Sequence, residues 1–446
     1  MIADESAVPL LRDYEIPTEA VEFGTPSDSY HTFYYRANTD LCGKHVQIYP
    51  QYSNGHAAGP IIACPNNTII NCDPKEQLLK LDVIQELVHG RAFQFALPDQ
   101  QIGDADARAF GRLRMSSSTG AVFMEDGKHL VIASYGLDRM FLYEYEWGKT
   151  NNGRKTLSMN LLDSVKCAGR NDLVDVDLHR QYLIASEFNT GTQQLAKVNL
   201  NDQTLTAIKN VDAFRDQPQR NILRCHEAAF FPSKDSTVIV AASMKVFNPI
   251  VRFFDYDRDR VLADFVMNRY RETFGFWVNG LRKIDQHHML ISATSFSLRL
   301  PGPQCVVPSY EMAEKDRGKL ILVRLDFSVD DIFAGRRGRA EPQEFTILDE
   351  YDMGMASVEG VTYKNGVVLV VDQLLDRFFA FRIDLQLSST TKNHKYIHYI
   401  AEYNGYNLPH GVAFSQTEDL ISVTTYGDNS FVIQETPPAI LNAMDP

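Results

Sequence analysis

Clustered positive charge is missing from this 446-residue chain: no run of Lys or Arg exceeds a few residues, and 57 acidic side chains outweigh 44 basic ones for a net charge of −13. Phosphate backbones and anionic bilayers recruit concentrated basic side chains, so neither nucleic acid nor a membrane surface is an expected partner. Long hydrophobic runs are missing too. The longest, near Val367 to Val371, falls far short of the ~20 residues that span a bilayer. The opening MIADESAVPLLRDYEIP has no basic region followed by an apolar one, so the sequence as given shows no signal peptide. Six cysteines are too few for a disulfide scaffold at this length. Cys64 and Cys72 nevertheless flank one apparent hairpin, and Asn66-Asn67-Thr68 between them is a glycosylation sequon. Two readings stand: a secreted protein whose leader has been removed, or two buried thiols and a chance sequon. Also lacking are a phosphate-cradling Gly loop, a Gly-Xaa-Ser-Xaa-Gly nucleophile elbow and the Cys/His spacings of structural zinc.

What is present is a repeat. Leu408 to Gln434 reads as three short strands: Gly411–Ser415, Leu420–Thr425 and Phe431–Gln434, separated by a polar turn and a Tyr-Gly-Asp-Asn turn. Alternating apolar residues with Gly/Asn/Asp punctuation predict an antiparallel meander. Anchored on His410, equivalent strand starts fall at Thr119, Asp172, His226, Asn279 and Glu359, spaced 53, 54, 53, 80 and 51 residues apart, with a weaker copy near His56. Seven four-stranded units at this spacing predict an all-β fold, a seven-bladed β-propeller occupying residues 1–446 as a single domain. The last unit runs out of chain after its third strand. An outer strand from the N-terminal segment (residues 1–50), either Ala20 to Phe23 or His31 to Tyr35, is therefore expected to close the ring and remove its open edges. Val88 to Met115 reads as an elaborated outer strand plus a loop.

The 80-residue period holds two insertions. Ser297 to Asp316, with three prolines, is placed by up-and-down topology over the channel mouth, as a lid. Ser328 to Pro342, containing GRRGR, reads as a solvated loop on the other face, and His287-His288 as a surface turn.

The stretch LPHGVAFSQTEDLISVTTYGDNS resembles the repeat of the YVTN/lactonase-like propellers, relatives of the SMP-30/gluconolactonase group, and TGAVFMEDGKHLVIASYGLDRMFLYEYE (119–146) is similar to it. The resemblance covers about six repeats, only these two closely. It implies a superfamily of lactone hydrolases, lyases, cyclases, redox enzymes and interaction modules, and a shared fold does not select among them. Neither the carboxylate and asparagine set of a metal-dependent gluconolactonase nor the four-histidine iron site of carotenoid-cleaving propellers can be carried onto this chain.

Blades are wedges, so their first strands crowd the axis and their starts line one mouth. The predicted ring is His56, Thr119, Asp172, His226, Asn279, Glu359 and His410. Ends of second strands add Tyr135, Glu187, Lys245, Thr294, Gln373 and Tyr426, while Phe188, Phe274, Phe276 and Trp277 offer an apolar wall. From these, His226, Glu359, His410, Asp172 and Tyr426 are the expected acid–base residues. Thr119, Tyr135, Phe188, Lys245, Trp277, Asn279 and Gln373 are expected to contact substrate. Two functions follow. One is a cofactor-independent enzyme acting on a small organic molecule by hydrolysis, elimination, isomerisation or cyclisation, hetero-Diels–Alder cyclisation of a natural product included. The other is a noncatalytic interaction scaffold. A divalent metal held by His226, Glu359 and His410 is a third, lesser reading.

Overall fold

The structure, a computed structural model, divides into residues Met1–Val88 and His89–Pro446. It describes five short strands in the first unit; in the second it describes residues 90–97, 117–150, 153, 155–167, 173–187, 191–216, 225–231, 238–243, 250–266, 276–295, 318–333, 345–352, 358–373, 375–385, 395–426 and 430–444. In the first unit, Ile2–Asp4 and Thr68–Ile69 flank His45–Ile48, and Val21–Glu22 pairs with Tyr34–Tyr35. The predicted His56 copy, Cys64, Asn66 and Cys72 of the predicted hairpin, and the 297–316 insertion lie outside the described residues.

The second unit is a β-propeller whose described residues form six four-stranded antiparallel blades, where the spacing predicted seven. The inner strands, from blade 1 to blade 6, are Ser117–Phe123, Leu173–His179, Cys225–Phe230, Phe276–Lys283, Val358–Lys364 and Pro409–Phe414. The ring does close with a strand that precedes blade 1, but the strand is neither predicted candidate. Val21–Glu22 and Tyr34–Tyr35 pair with each other, and Ala92–Ala96 instead forms the outer strand of blade 6, against Ser430–Glu435. That strand lies within the 88–115 connection, and only residues 97–116 separate it from blade 1, fewer than the 51 or more that one repeat spans. Its side chains reach both neighbours: Phe95 packs on Phe431 and Phe93 sets its edge on Trp147 of blade 1, each with ring centroids 5.6 Å apart.

Blade 5 shows how local sequence makes the unit. Asn365 and Gly366 both adopt positive φ (47° and 79°), the pair a two-residue hairpin of type I′ demands. The second strand that follows, VVLVVD, is buried along its whole length. It has a blade on each side, so alternation gives way to a continuous apolar run. The outer strand Ile397–Asn404 keeps a mixed pattern because it borders solvent. One apolar cluster fills each of the six blade–blade interfaces, from blades 1/2 round to blades 6/1. In blade 3 a wholly buried Arg252 joins strands and loop together, donating to both Asp264 oxygens (2.7 and 2.9 Å), to the Ala213 carbonyl (2.8 Å) and to Asp216. The short helix Val329–Phe333 occupies the start of the predicted 328–342 loop.

Candidate functional site at the channel

Each inner strand carries one extra residue relative to its partner near its start. The register slips at Ser118/Gly120, Val174/Asp177, Cys225/Ala228, Val278/Gly280, Val358/Val361 and Pro409/Val412. A β-bulge of this kind re-aims a side chain. The residues that open the six bulges are Thr119, Asp175, His226, Asn279, Glu359 and His410. Five of them are ring members read from the sequence. Asp172 lies outside the described residues, and the bulge in blade 2 falls three residues later, on Asp175, which takes φ 50°.

Glycine follows the bulge in blades 1, 4, 5 and 6 because the next inner strand abuts there. A Cβ on Gly120 would stand 2.4 Å from the Asp175 Cα, and one on Gly411 would stand 2.6 Å from the Thr119 carbonyl oxygen. That close approach permits the hydrogen bonds that lace blade to blade. Thr119 Oγ1 donates to the Leu173 carbonyl (2.9 Å), Asn279 Nδ2 to the Val358 carbonyl (2.7 Å), His226 Nδ1 to the Asn279 carbonyl (2.9 Å) and His410 Nδ1 to the Thr119 carbonyl (2.9 Å). Thr119 and Asn279, expected to touch substrate, thus hold the ring and orient the two imidazoles.

A carbonyl oxygen only accepts, so Nδ1 carries the hydrogen in both histidines and each neutral ring presents a bare Nε2. Those lone pairs meet Glu359. His226 Nε2 is 3.3 Å and His410 Nε2 4.0 Å from Glu359 Oε2, and the three donor atoms lie within 4.8 Å of one another. All three residues are buried. The two imidazole planes are inclined by 18° with centroids 5.2 Å apart, and Tyr426 packs on His410 (5.9 Å) with Tyr135 beyond it (5.7 Å). Burial lowers His226 from the usual 6.5 to about 4, against the opposing hydrogen bond to Asn279. Burial and then the neighbouring His226 lower His410 to about 3. At neutral pH both rings are uncharged: bases and ligands rather than acids.

A second cluster shares the channel, and the repeat alignment missed it. Arg282 donates to Asp177 and, through Nε, to the Val361 carbonyl (3.1 Å). Asp177 Oδ2 also accepts the Phe230 N–H at 2.8 Å. Glu227 lies beside Asp175, and a single proton between the two carboxyls relieves their repulsion. Glu227 holds it, because burial and then the adjacent Asp175 raise it well above the carboxylate range. The available signal was the tripeptide pattern polar–small–apolar at the bulge, which runs Thr119-Gly120-Ala121, Asn279-Gly280-Leu281, Glu359-Gly360-Val361 and His410-Gly411-Val412. It marks the bulge in blades 1, 4, 5 and 6, whereas Asp175-Val176-Asp177 departs from it, so blade 2 carries no such mark.

Gln373 is half-buried just past the second strand of blade 5. Glu187, at the same place in blade 2, accepts from Thr192 within its own turn (2.9 Å). Phe188 and Lys245 lie outside the described residues, as do Phe274 and the side chains of Phe276 and Trp277, whose backbone pairs with Ser295 and Thr294. His288 caps its own turn through Asp285 (2.9 Å).

No family model matches the chain, and no curated protein matches it. Solved structures superpose on it in part. Hydrazine synthase of Kuenenia stuttgartiensis superposes with a TM-score of 0.45 at 12% identity, over 77% of this chain and 99% of that one. The Cps50 (Swd1) β-propeller domain of Myceliophteria thermophila gives 0.42 at 10% identity, over 72% and 98%. The Pan2 WD40 domain of Neurospora crassa gives 0.40 at 9%, over 77% and 94%.

Proposed function

We propose that the protein is an enzyme that acts on a small organic molecule at the channel, by proton transfer in a hydrolysis, elimination, isomerisation or cyclisation. The observation that carries this reading is the meeting of His226 Nε2, His410 Nε2 and Glu359 Oε2 at one buried point, each imidazole held by its Nδ1–H. Burying two imidazoles beside a carboxyl costs stability, and such arrangements are characteristic of sites rather than of cores. Both imidazoles are unprotonated at neutral pH and able to accept a proton, with a basicity that burial weakens. The centre is suited to withdraw a proton from water attacking a lactone, or from carbon beside a carbonyl before a leaving group departs. Tyr426 and Tyr135 supply a flat apolar surface beside His410 against which a substrate can lie. The lactonase-like resemblance of the last repeat fits the hydrolytic form of this chemistry.

The scaffold reading calls for a broad exposed apolar or charged patch on one face. The exposed large hydrophobics among the described residues, Leu161, Ile208 and Tyr399, sit singly on the outer strands of blades 1, 2 and 5. The deciding experiment follows a panel of γ- and δ-lactones and β-hydroxy carbonyl compounds by NMR with untagged protein. Turnover should fall at least ~100-fold in each of His226→Ala, His410→Ala and Glu359→Gln, the loss typical for a positioned acid–base group. Turnover that survives all three would refute the assignment. A panel left untouched by the wild type would move the balance to the scaffold.

A further inference from the structure

The same three residues have the form of a metal centre, and this inference rests on the channel site being functional. We infer that His226 Nε2, His410 Nε2 and Glu359 bind one divalent first-row transition ion, zinc being the natural probe, with at least one coordination position left open towards the channel. Three separate features carry it.

The first is the donor set. Two imidazole nitrogens and one carboxylate are borderline ligands that favour zinc and its neighbours over calcium or magnesium, and three protein ligands plus a water is the composition of an open, catalytic zinc site. The second is spacing. Ligands of a tetrahedral ion with ~2.1 Å bonds stand about 3.4 Å apart. His226 Nε2 and Glu359 Oε2 already stand 3.3 Å apart, His410 Nε2 is 4.0 Å from the same oxygen and all three atoms lie within 4.8 Å of one another, so a bound ion would draw the His410 imidazole inward. The third is what holds the ligands. A metal-bound histidine usually donates its other ring N–H to a carbonyl or carboxylate, which sets the tautomer and the ring's direction. Both histidines do this, to the carbonyls of Asn279 and Thr119. Those carbonyls belong to the bulges of the neighbouring blades, so the rigid ring of the propeller positions the second shell as well as the first. Elsewhere, among the described residues, histidine–carboxylate contacts are isolated turn pairs, His129–Asp126 and His288–Asp285, each offering one imidazole and one carboxylate. Bound there, the ion would convert a water in its open position into a hydroxide near neutral pH, so that the proton chemistry passes from free imidazole to metal-bound oxygen.

The test uses untagged full-length protein stripped with chelator and reloaded. Titration with Zn²⁺ by calorimetry, and with Co²⁺ by its visible d–d absorption, should give one site per chain. Affinity should drop at least ~100-fold in His226→Ala, His410→Ala and Glu359→Ala, beyond the range that loss of an outer-shell partner alone produces. It should stay unchanged in His288→Ala, whose circular dichroism and melting serve as the folding reference. Should an alanine variant fold poorly, His410→Gln and Glu359→Gln keep the volume and give the same readout. No stoichiometric ion in the wild type, or binding that persists in the His226 and His410 variants, overturns the inference. In that event, lactone or β-hydroxy carbonyl turnover that still depends on the three residues would leave the acid–base reading standing without a metal. Metal bound as expected with an unreactive panel would separate the two outcomes the other way.

Discussion

The channel sets two buried polar clusters against each other. On the side of blades 2, 3 and 4, Asp175, Glu227 and Asp177 are gathered around Arg282. Charge there is met by opposite charge, by a Glu227 that keeps its proton and by backbone donors, including the Phe230 N–H. Where blades 3, 5 and 6 meet, two neutral imidazoles and a carboxyl converge with their acceptor atoms foremost. The first cluster brings its own counter-charge and closes on itself. The second gathers three acceptor atoms from three blades within 4.8 Å of one another, a set suited to receive a proton, a substrate or a cation. Residues from one ring of bulges therefore serve as structure on one side and as a candidate site on the other, and His226 and Glu227, consecutive in sequence, take opposite roles.

Removing the counter-charge should give the largest effect. Arg282→Met leaves buried carboxylates without their cation and should cost about 3–5 kcal/mol, the usual penalty for breaking a buried ion pair from one side. Glu359→Gln, in the other cluster, should stay within ~1 kcal/mol of the wild type or exceed it, since a site's stability is commonly sacrificed to its function. Urea unfolding of both variants checks this. Equal penalties would erase the distinction. Next comes the packing that holds the imidazoles: Gly411→Ala puts a Cβ on the Thr119 carbonyl and should cost about 1–3 kcal/mol, as overpacking does. It should also weaken Zn²⁺ binding by displacing the acceptor of His410. Unaltered melting together with unaltered zinc affinity would show that the blade contact is looser than described.

The smallest effect is one of pH, and its sign differs between the clusters. In metal-free protein His226 and His410 hold folded values of about 4 and about 3 against 6.5. The unfolded chain therefore takes up protons first as the solution is acidified. Their contribution is complete above 6.5 and is lost as pH falls through 6 and 5 towards the folded values, at no more than ~1.4 kcal/mol per pH unit for each group. Glu227 is raised above its ordinary 4.5. Its contribution is complete below that value and declines as pH climbs towards the folded one. Unfolding free energies measured across pH should therefore show an acid limb that flattens in His410→Gln and an opposing slope that disappears in Glu227→Gln. One limb responding to both substitutions would mean the clusters act as one.

Strand patterning was open to direct reading because blades are local: Asn365-Gly366 makes its hairpin from its own two residues, and VVLVVD signals a strand buried on both faces. His226, Glu359 and His410 were legible because a polar residue ahead of an apolar strand has few places to go in a propeller. Blade number and the identity of the closing strand were not. Ala92–Ala96 has the same short apolar pattern as many strands, and its partner Ser430–Glu435 is more than three hundred residues away. Asp175 was missed for a related reason: the bulge in blade 2 falls three residues later than equal spacing puts it.

By itself, then, the amino-acid order determined that the chain would fold into four-stranded antiparallel wedges with hydrophilic residues at their inner starts, since turns and side-chain alternation depend on neighbours a few positions apart. How many wedges close the circle was decided only by the tertiary structure. So was the choice of which inner residues face one another across the axis, because both depend on interfaces between segments that are remote in sequence. That long-range packing brings His226, Glu359 and His410 to a single point while turning Glu227 towards Asp175 and the Arg282 cluster.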